Sequence, residues 1–274
     1  MRGILPTGTA STFAVALLSV LLFAGCGSSS RLRYDTPQEA FDKGKALYDE
    51  GEYERAAQYF QGAFDFGRAH EYAADAQLYL ARAYRANREY LLAANEFTRF
   101  TQIYRSDPRI PDAEYELAMT YYDRSPAYQF DQTDTRRAIE QFRLFITRYG
   151  SHPLVADAQA RIGELRERLA RKQFSVAQMY ERIKRFEAAA LSYETLFDQY
   201  YDTSLADDGL LGAMRNYLEF GKASVEARQK ERYQLVIDDY ERMIQIFPDS
   251  PLVKDAEVYY DEASSLIADT GVDS

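Results

Sequence analysis

One stretch of this chain is repeated, and the repeat constrains its fold more than any other feature. Residues 44–63 read GKALYDEGEYERAAQYFQGA, with small residues at Gly44, Ala56 and Ala63 and bulky ones at Leu47, Tyr53 and Phe60. Counted from Gly44, those five positions stand at offsets of 3, 9, 12, 16 and 19. A second copy on the same offsets starts 37 residues later at Ala81, with Tyr84, Tyr90, Ala93, Phe97 and Phe100. Periods of this length belong to arrays in which each unit is too small to bury its own apolar face and stacks on its neighbours. The order of small and large residues predicts two short helices folded on each other, with small residues where the backbones cross.

Carried along the chain, the pattern acts as a ruler. Thr36, Pro37 and Glu39 predict a helix start, with threonine as N-cap, proline in the first turn and the glutamate closing a capping box. A turn at Asp49-Glu50-Gly51 leads to a second helix over residues 53–66. Each later unit opens on an aspartate, where negative charge meets the positive end of a helix dipole. These are Asp75, Asp112, Asp157, Asp207 and Asp255, spaced by 37, 45, 50 and 48 residues. The excess over the basic period locates the insertions. In the third unit, whose anchors are Ala118 and Ala138, it falls in residues 125–135, SPAYQFDQTDT, which is either a binding element or a neutral surface insertion. In the fourth, Gly163 and Ala177 stand 14 residues apart, so the pattern predicts one long helix over residues 154–185 with both on one face. The fifth unit is degenerate: a first helix over residues 205–217, a charged spacer at 222–232 and a second helix ending at Phe247. Residues 252–268 then form a solitary helix that caps the array. The fold class expected is an all-α superhelix of about five helix pairs with a C-terminal capping helix.

Composition narrows the function. The 274 residues are 46% hydrophobic and 28% charged, which is a globular balance, and the net charge of −10 opposes nonspecific binding to nucleic acid. The 23 tyrosines and 16 phenylalanines at helical spacing predict packed helix interfaces, and the absence of tryptophan disfavours a sugar-stacking site. His70 and His152 sit at turns with no second histidine or cysteine within ligand spacing, so no metal site is expected. No nucleophile elbow or phosphate loop occurs, and the expectation is a non-catalytic binding protein.

The single cysteine, Cys26, follows one positive charge at Arg2 and an apolar run over residues 13–23, too short to span a bilayer, which needs about 20 residues. Residues 1–25 therefore read as a secretory signal peptide. The four residues Phe23-Ala24-Gly25-Cys26 resemble the lipobox of bacterial lipoproteins. That resemblance implies cleavage before Cys26, a covalent lipid on its thiol and no other cofactor. It also implies an outer-membrane address, because Gly27 stands where an aspartate holds such proteins in the inner membrane. Residues 26–35 read as a lipidated flexible tether.

The repeat itself resembles the tetratricopeptide repeat, which implies a right-handed superhelix whose first helices line a concave groove. The residues one and four after each small anchor then face inward: Lys45 and Tyr48, Arg82 and Arg85, Met119 and Tyr122. Basic and aromatic groups together suit an extended peptide with a carboxylate end; alternatively the tyrosines pack between repeats and the charges are solvated. A second basic set runs along the long helix: Arg161, Arg166, Arg168, Arg171, Lys172, Arg182, Lys184 and Arg185. Within it Arg166, Arg171, Arg182 and Arg185 are candidates for docking an acidic partner, although the interleaved Glu164, Glu167 and Glu181 also fit a plain solvated face.

A narrower resemblance rests on the lipobox, the repeats and the phrases DQTDTRRAIEQFRLFITRYGSHPLVADAQ and RIGELRERLARKQFSVAQMYERIKRFEAAALSYETLF. These look like the BamD family, lipoprotein subunits of the machine that folds β-barrels into the bacterial outer membrane. The resemblance implies that N-terminal repeats 1–3, residues 36–149, receive unfolded outer-membrane barrel proteins. It implies that repeats 4–5 and the cap, residues 150–268, bind a BamA-like barrel subunit through its periplasmic domains, ahead of a tail at 269–274. A repeat lipoprotein scaffolding another envelope secretion or polysaccharide complex is the alternative.

Overall fold

A computed structural model describes residues 32–270. Eleven α-helices follow one another among them, with no strand. They are α1 (Pro37–Asp49), α2 (Tyr53–Gly62), α3 (Ala73–Ala86), α4 (Tyr90–Ile103), α5 (Ile110–Arg124), α6 (Thr133–Arg148), α7 (Val155–Arg182), α8 (Phe186–Tyr200), α9 (Ala206–Lys222), α10 (Glu226–Ile246) and α11 (Val253–Thr270). Each helix packs mainly on the one before and the one after it, so the fold is a linear stack of tetratricopeptide-like pairs.

The first pair shows how sequence sets the geometry. Thr36 caps α1, its hydroxyl accepting from the Glu39 amide at 3.1 Å, and Pro37 occupies the first turn. The Glu39 carboxylate accepts from the Asp35 amide at 2.8 Å rather than from Thr36, so the predicted capping box closes one residue early. Gly51 makes the turn at φ +83°, a conformation that glycine enters without a Cβ penalty. A Cβ on Gly44 would sit 2.8 Å from the Phe60 ring, so the glycine is what lets α2 lie against α1. α2 ends at Gly62 and continues as a 3-10 turn, Ala63–Phe66, in place of the uninterrupted helix the ruler predicts. The ruler residues Ala56, Phe60, Ala81, Ala93, Phe97, Phe100, Ala118, Ala138, Phe142 and Phe145 are all fully buried.

Four local expectations are corrected. Residues 222–232 are not a spacer: α10 starts at Glu226, only three residues separating it from the end of α9, and its charged first turns are an exposed helical face. The fifth pair is therefore regular, with Gly221 crossing close against the Tyr233 ring. Ala177 is fully buried but Gly163 is exposed, and a Cβ there would meet nothing. The reason is the length of α7. Its partner α8 ends beside Arg166, which bonds the Gln199 carbonyl, so the face carrying Gly163 has run past its neighbour. At the other end of the chain the tether is pinned earlier than expected. The Tyr34 hydroxyl donates to Asp65 at 2.6 Å, its ring lies edge-on to Tyr59 and Phe66 and fills the space beside Gly62, and Lys43 Nζ donates to the Arg33 carbonyl at 2.7 Å. The hydrogen bond to Asp65, which only the protonated hydroxyl can donate, and then burial push the Tyr34 hydroxyl up to about 12. The signal segment, Cys26 and the rest of the tether up to residue 31 lie outside the described residues, as do residues 271–274.

α11 caps the array as expected, burying Ala256 and Ala263 against α10 and α9 and stacking Tyr260 on Tyr240 at 4.6 Å.

Candidate functional site

The first helices of the first three pairs form a cleft of about 470 Å³ lined by Lys45, Tyr48, Asp49, Tyr79, Arg82, Arg85, Glu116 and Asp123. It holds four of the six predicted groove residues. Its centre is Tyr79, which the spacing argument did not select. Tyr48 meets its ring edge-on at 5.6 Å, and Lys45 Nζ and the Arg82 guanidinium lie over it at 5.4 and 5.3 Å. Stacking of this kind fixes an aromatic floor with cations on its rim.

The cleft is not basic, however. Arg82 holds Glu116 through a fork of bonds at 2.6, 2.9 and 3.0 Å, Arg85 holds Asp123 at 2.7 Å, and Lys45 pairs with Asp49 one turn along α1. Burial works against the Arg82 charge, but the Glu116 carboxylate more than offsets it and holds the guanidinium above its ordinary range. A peptide carboxylate would have to displace a carboxylate already in place, so the cleft is best suited to apolar and aromatic side chains and to backbone amides. The partners that neutralise it lie one repeat further along the chain, 34 residues on for Arg82 and 38 for Arg85. The same 34-residue step joins Arg109 to Asp75, Arg148 to Glu114 and Arg215 to Glu181, so acid–base pairs one repeat apart were the sequence signal available.

The other two predicted groove residues do not line this cleft. Met119 packs into the cluster between α5, α6 and α7. The Tyr122 hydroxyl donates to Glu164, its ring meets Phe142 edge-on, and Arg161 covers it at 5.1 Å. Both serve packing between repeats.

The basic face of α7 divides in a similar way. Arg166 is tied to Asp202 at 2.8 and 3.0 Å and to the Gln199 carbonyl at 2.8 Å. Arg161 pairs with Asp157 and Glu164. Arg168 donates to the Ser125 hydroxyl and carbonyl, and Lys172 to the carbonyls of Gln129 and Phe130, so these two bind the insertion down. Inside the loop, the buried Gln132 amide donates to the Ala127 and Phe130 carbonyls at 2.9 and 3.0 Å. Phe130 is left 66% exposed on a fixed backbone. Arg171, Arg182 and Arg185 are exposed and make no ion pair among the described residues. Arg182 and Arg185 bracket the exposed Ile183 and Lys184, and Lys184 turns the chain into α8 at φ +57°. That end of α7 is a surface on which unpaired charge and apolar side chain coincide.

Among the described residues no group of histidine, cysteine and acidic side chains could hold a metal, and no helix is long and apolar enough to cross a membrane. His70 bonds the Ala63 carbonyl at 2.9 Å, and His152 faces Asp112 at 3.5 Å while packing on Phe145, so each secures a turn.

A family model described as YfiO, outer membrane lipoprotein, matches residues 33–235. The chain is similar to the outer membrane protein assembly factor BamD of Vibrio cholerae, 26% identical over 233 residues that cover 80% of this chain and 95% of the relative. It is similar also to the protein of the same name from Caulobacter vibrioides, 25% identical over 219 residues covering 76% of this chain and 71% of the relative. Among solved structures, the TPR2AB-domain:pHSP90 complex of yeast Sti1 aligns with 83% of this chain and 98% of its own, at a TM-score of 0.41 and 12% identity.

Proposed function

The chain belongs to the YfiO family of outer membrane lipoproteins, and from that membership we propose that it is a non-catalytic factor in the assembly of β-barrel proteins into the outer membrane. The observation that carries the reading is the extent of the family match, residues 33–235, which takes in both the N-terminal cleft and the exposed end of α7. The relatives named as assembly factors support it.

In this reading Cys26 carries the lipid. Arg33 and Tyr34 are already docked on the first pair, so from Cys26 the chain can span at most about 25 Å. The first repeat therefore works close to the membrane surface. The cleft around Tyr79 receives unfolded barrel segments, whose alternating apolar and aromatic side chains suit its floor. The turn at Arg182, Ile183, Lys184 and Arg185 docks acidic periplasmic domains of the barrel-forming, BamA-like subunit.

Depletion of the protein should lower the level of outer-membrane barrel proteins, and purification from membranes should recover the barrel-forming subunit. Unchanged barrel levels with no such subunit recovered would sink the proposal. Cys26→Ser should release the protein from outer-membrane fractions. For the cleft, Arg82→Glu breaks the pair with Glu116, and adding Glu116→Arg restores it in reverse. Peptide binding that stays lost in the swapped variant assigns Arg82 to the peptide; full recovery assigns it to packing alone.

A further inference from the structure

The second helices carry a cleft that the assembly reading does not use. α6 and α8 share no extended contact, because the long helix α7 packs on both. The gap encloses about 430 Å³. That volume falls in the range of ligand sites, roughly 300–1,000 Å³. Its floor is apolar: Ile139, Leu169 and Tyr200, with Leu144 39% exposed at the mouth. A leucine that open, beside a cavity of this size, is a face without a partner.

The charges at the rim say what would cover it. Arg166 is neutralised by Asp202, but Arg136 and Arg143 line the cleft and make no ion pair among the described residues. Three arginines and one carboxylate, Glu140, line the cleft itself; Asp202 beside Arg166 also bears on Arg143, and Asp131 bears on Arg136 from outside the lining. In a protein of net charge −10, where most groove arginines are tied to carboxylates, two unpaired guanidiniums flanking an exposed leucine are a specific arrangement. They are seven residues apart, two turns of α6, or about 10.5 Å along its axis. Two carboxylates seven residues apart on a second helix laid along α6 match that spacing, with bulky apolar side chains between them entering the cleft.

We propose that this cleft docks an acidic amphipathic helix of a partner protein, Arg136 and Arg143 each taking one carboxylate and Leu144 and Tyr200 receiving the apolar side chain. The proposal does not depend on the barrel-assembly reading.

The test uses the full chain purified in detergent and a fluorescein-labelled helical peptide with glutamates at positions 1 and 8 and leucines at 4 and 5. Anisotropy should show saturable binding that weakens at least tenfold in the Arg136→Glu, Arg143→Glu double variant and in Leu144→Asp. Arg137→Glu, a neighbouring exposed arginine that does not line the cleft, should leave it unchanged. Equal binding of the same peptide with lysines at positions 1 and 8, or indifference to the double variant, would overturn the proposal. So would failure to bind the peptide combined with double-variant-sensitive binding to phosphatidylglycerol vesicles, which would reassign the arginines to a lipid surface.

Discussion

Asp239 on α10 gives the sharpest test of the electrostatics. It is 1% exposed, its Oδ1 accepts from Arg242 at 3.0 Å, and its Oδ2 has no hydrogen-bond partner among the described residues. Arg242 is shared: it also donates to Asp198 at 2.6 Å and lies 3.9 Å from Glu194. Burial, and then the Glu194 charge, push the Asp239 carboxyl from 3.8 up to about 7, and the divided Arg242 charge is outweighed. Between about pH 4 and pH 7 the folded protein therefore holds a proton that the unfolded chain has lost, so stability falls as pH rises through that window. Each pKa unit is worth about 1.4 kcal/mol. Integrated, the group costs about 1.6 kcal/mol at pH 5 and about 4 kcal/mol at pH 8. Asp239→Asn keeps the shape and removes the titration. The Arg242 attraction is already contained in the raised pKa, and any pH-independent change in packing cancels in the difference. Urea unfolding followed by circular dichroism should show the stability of the variant relative to the parent rising by about 2.5 kcal/mol from pH 5 to pH 8. A difference that stays flat with pH would refute the reasoning, since it would mean that Asp239 is ionised throughout.

Two glycines should respond in opposite directions. Gly212→Ala places a Cβ 2.7 Å from the buried Tyr193 ring, which is held by its hydroxyl bond to Glu181, and should cost about 1–3 kcal/mol in urea unfolding. Gly163→Ala meets open space in a helix interior and should stabilise by about 0.5–1 kcal/mol. Gln132→Ala removes the two amide bonds that close the insertion and the bond its Oε1 accepts from Thr135 at 2.7 Å, at a cost of about 1–3 kcal/mol. Hydrogen exchange should locate that loss in residues 125–132 and leave α9 to α11 protected.

The helix pairs were legible because their cause is local. A side chain's place on a helix follows from its residue number, so Gly44 against Phe60 and the buried Ala81, Ala93, Phe97 and Phe100 could be read as offsets. The long α7 followed from the absence of a breaker. The degenerate fifth unit was misread because charge in residues 222–232 resembles a loop until the helix that buries Tyr233 is seen to begin there. Gly163 was misread because identical phase on a helix does not guarantee an identical neighbour.

The candidate site divides along the same line. Lys45, Tyr48, Arg82 and Arg85 share a cleft because repetition places equivalent positions of successive helices side by side. Their sequence says that the cleft is basic, and the fold says that it is neutral, because Glu116 and Asp123 arrive from the next repeat. By itself the sequence determined the period, the faces that turn inward and the family. The tertiary structure decided which charges are held in ion pairs and which, at Arg136, Arg143, Arg182 and Arg185, have none among the described residues. Periodicity is a property of one helix at a time, whereas the state of a charge depends on what stands within a few ångströms of it.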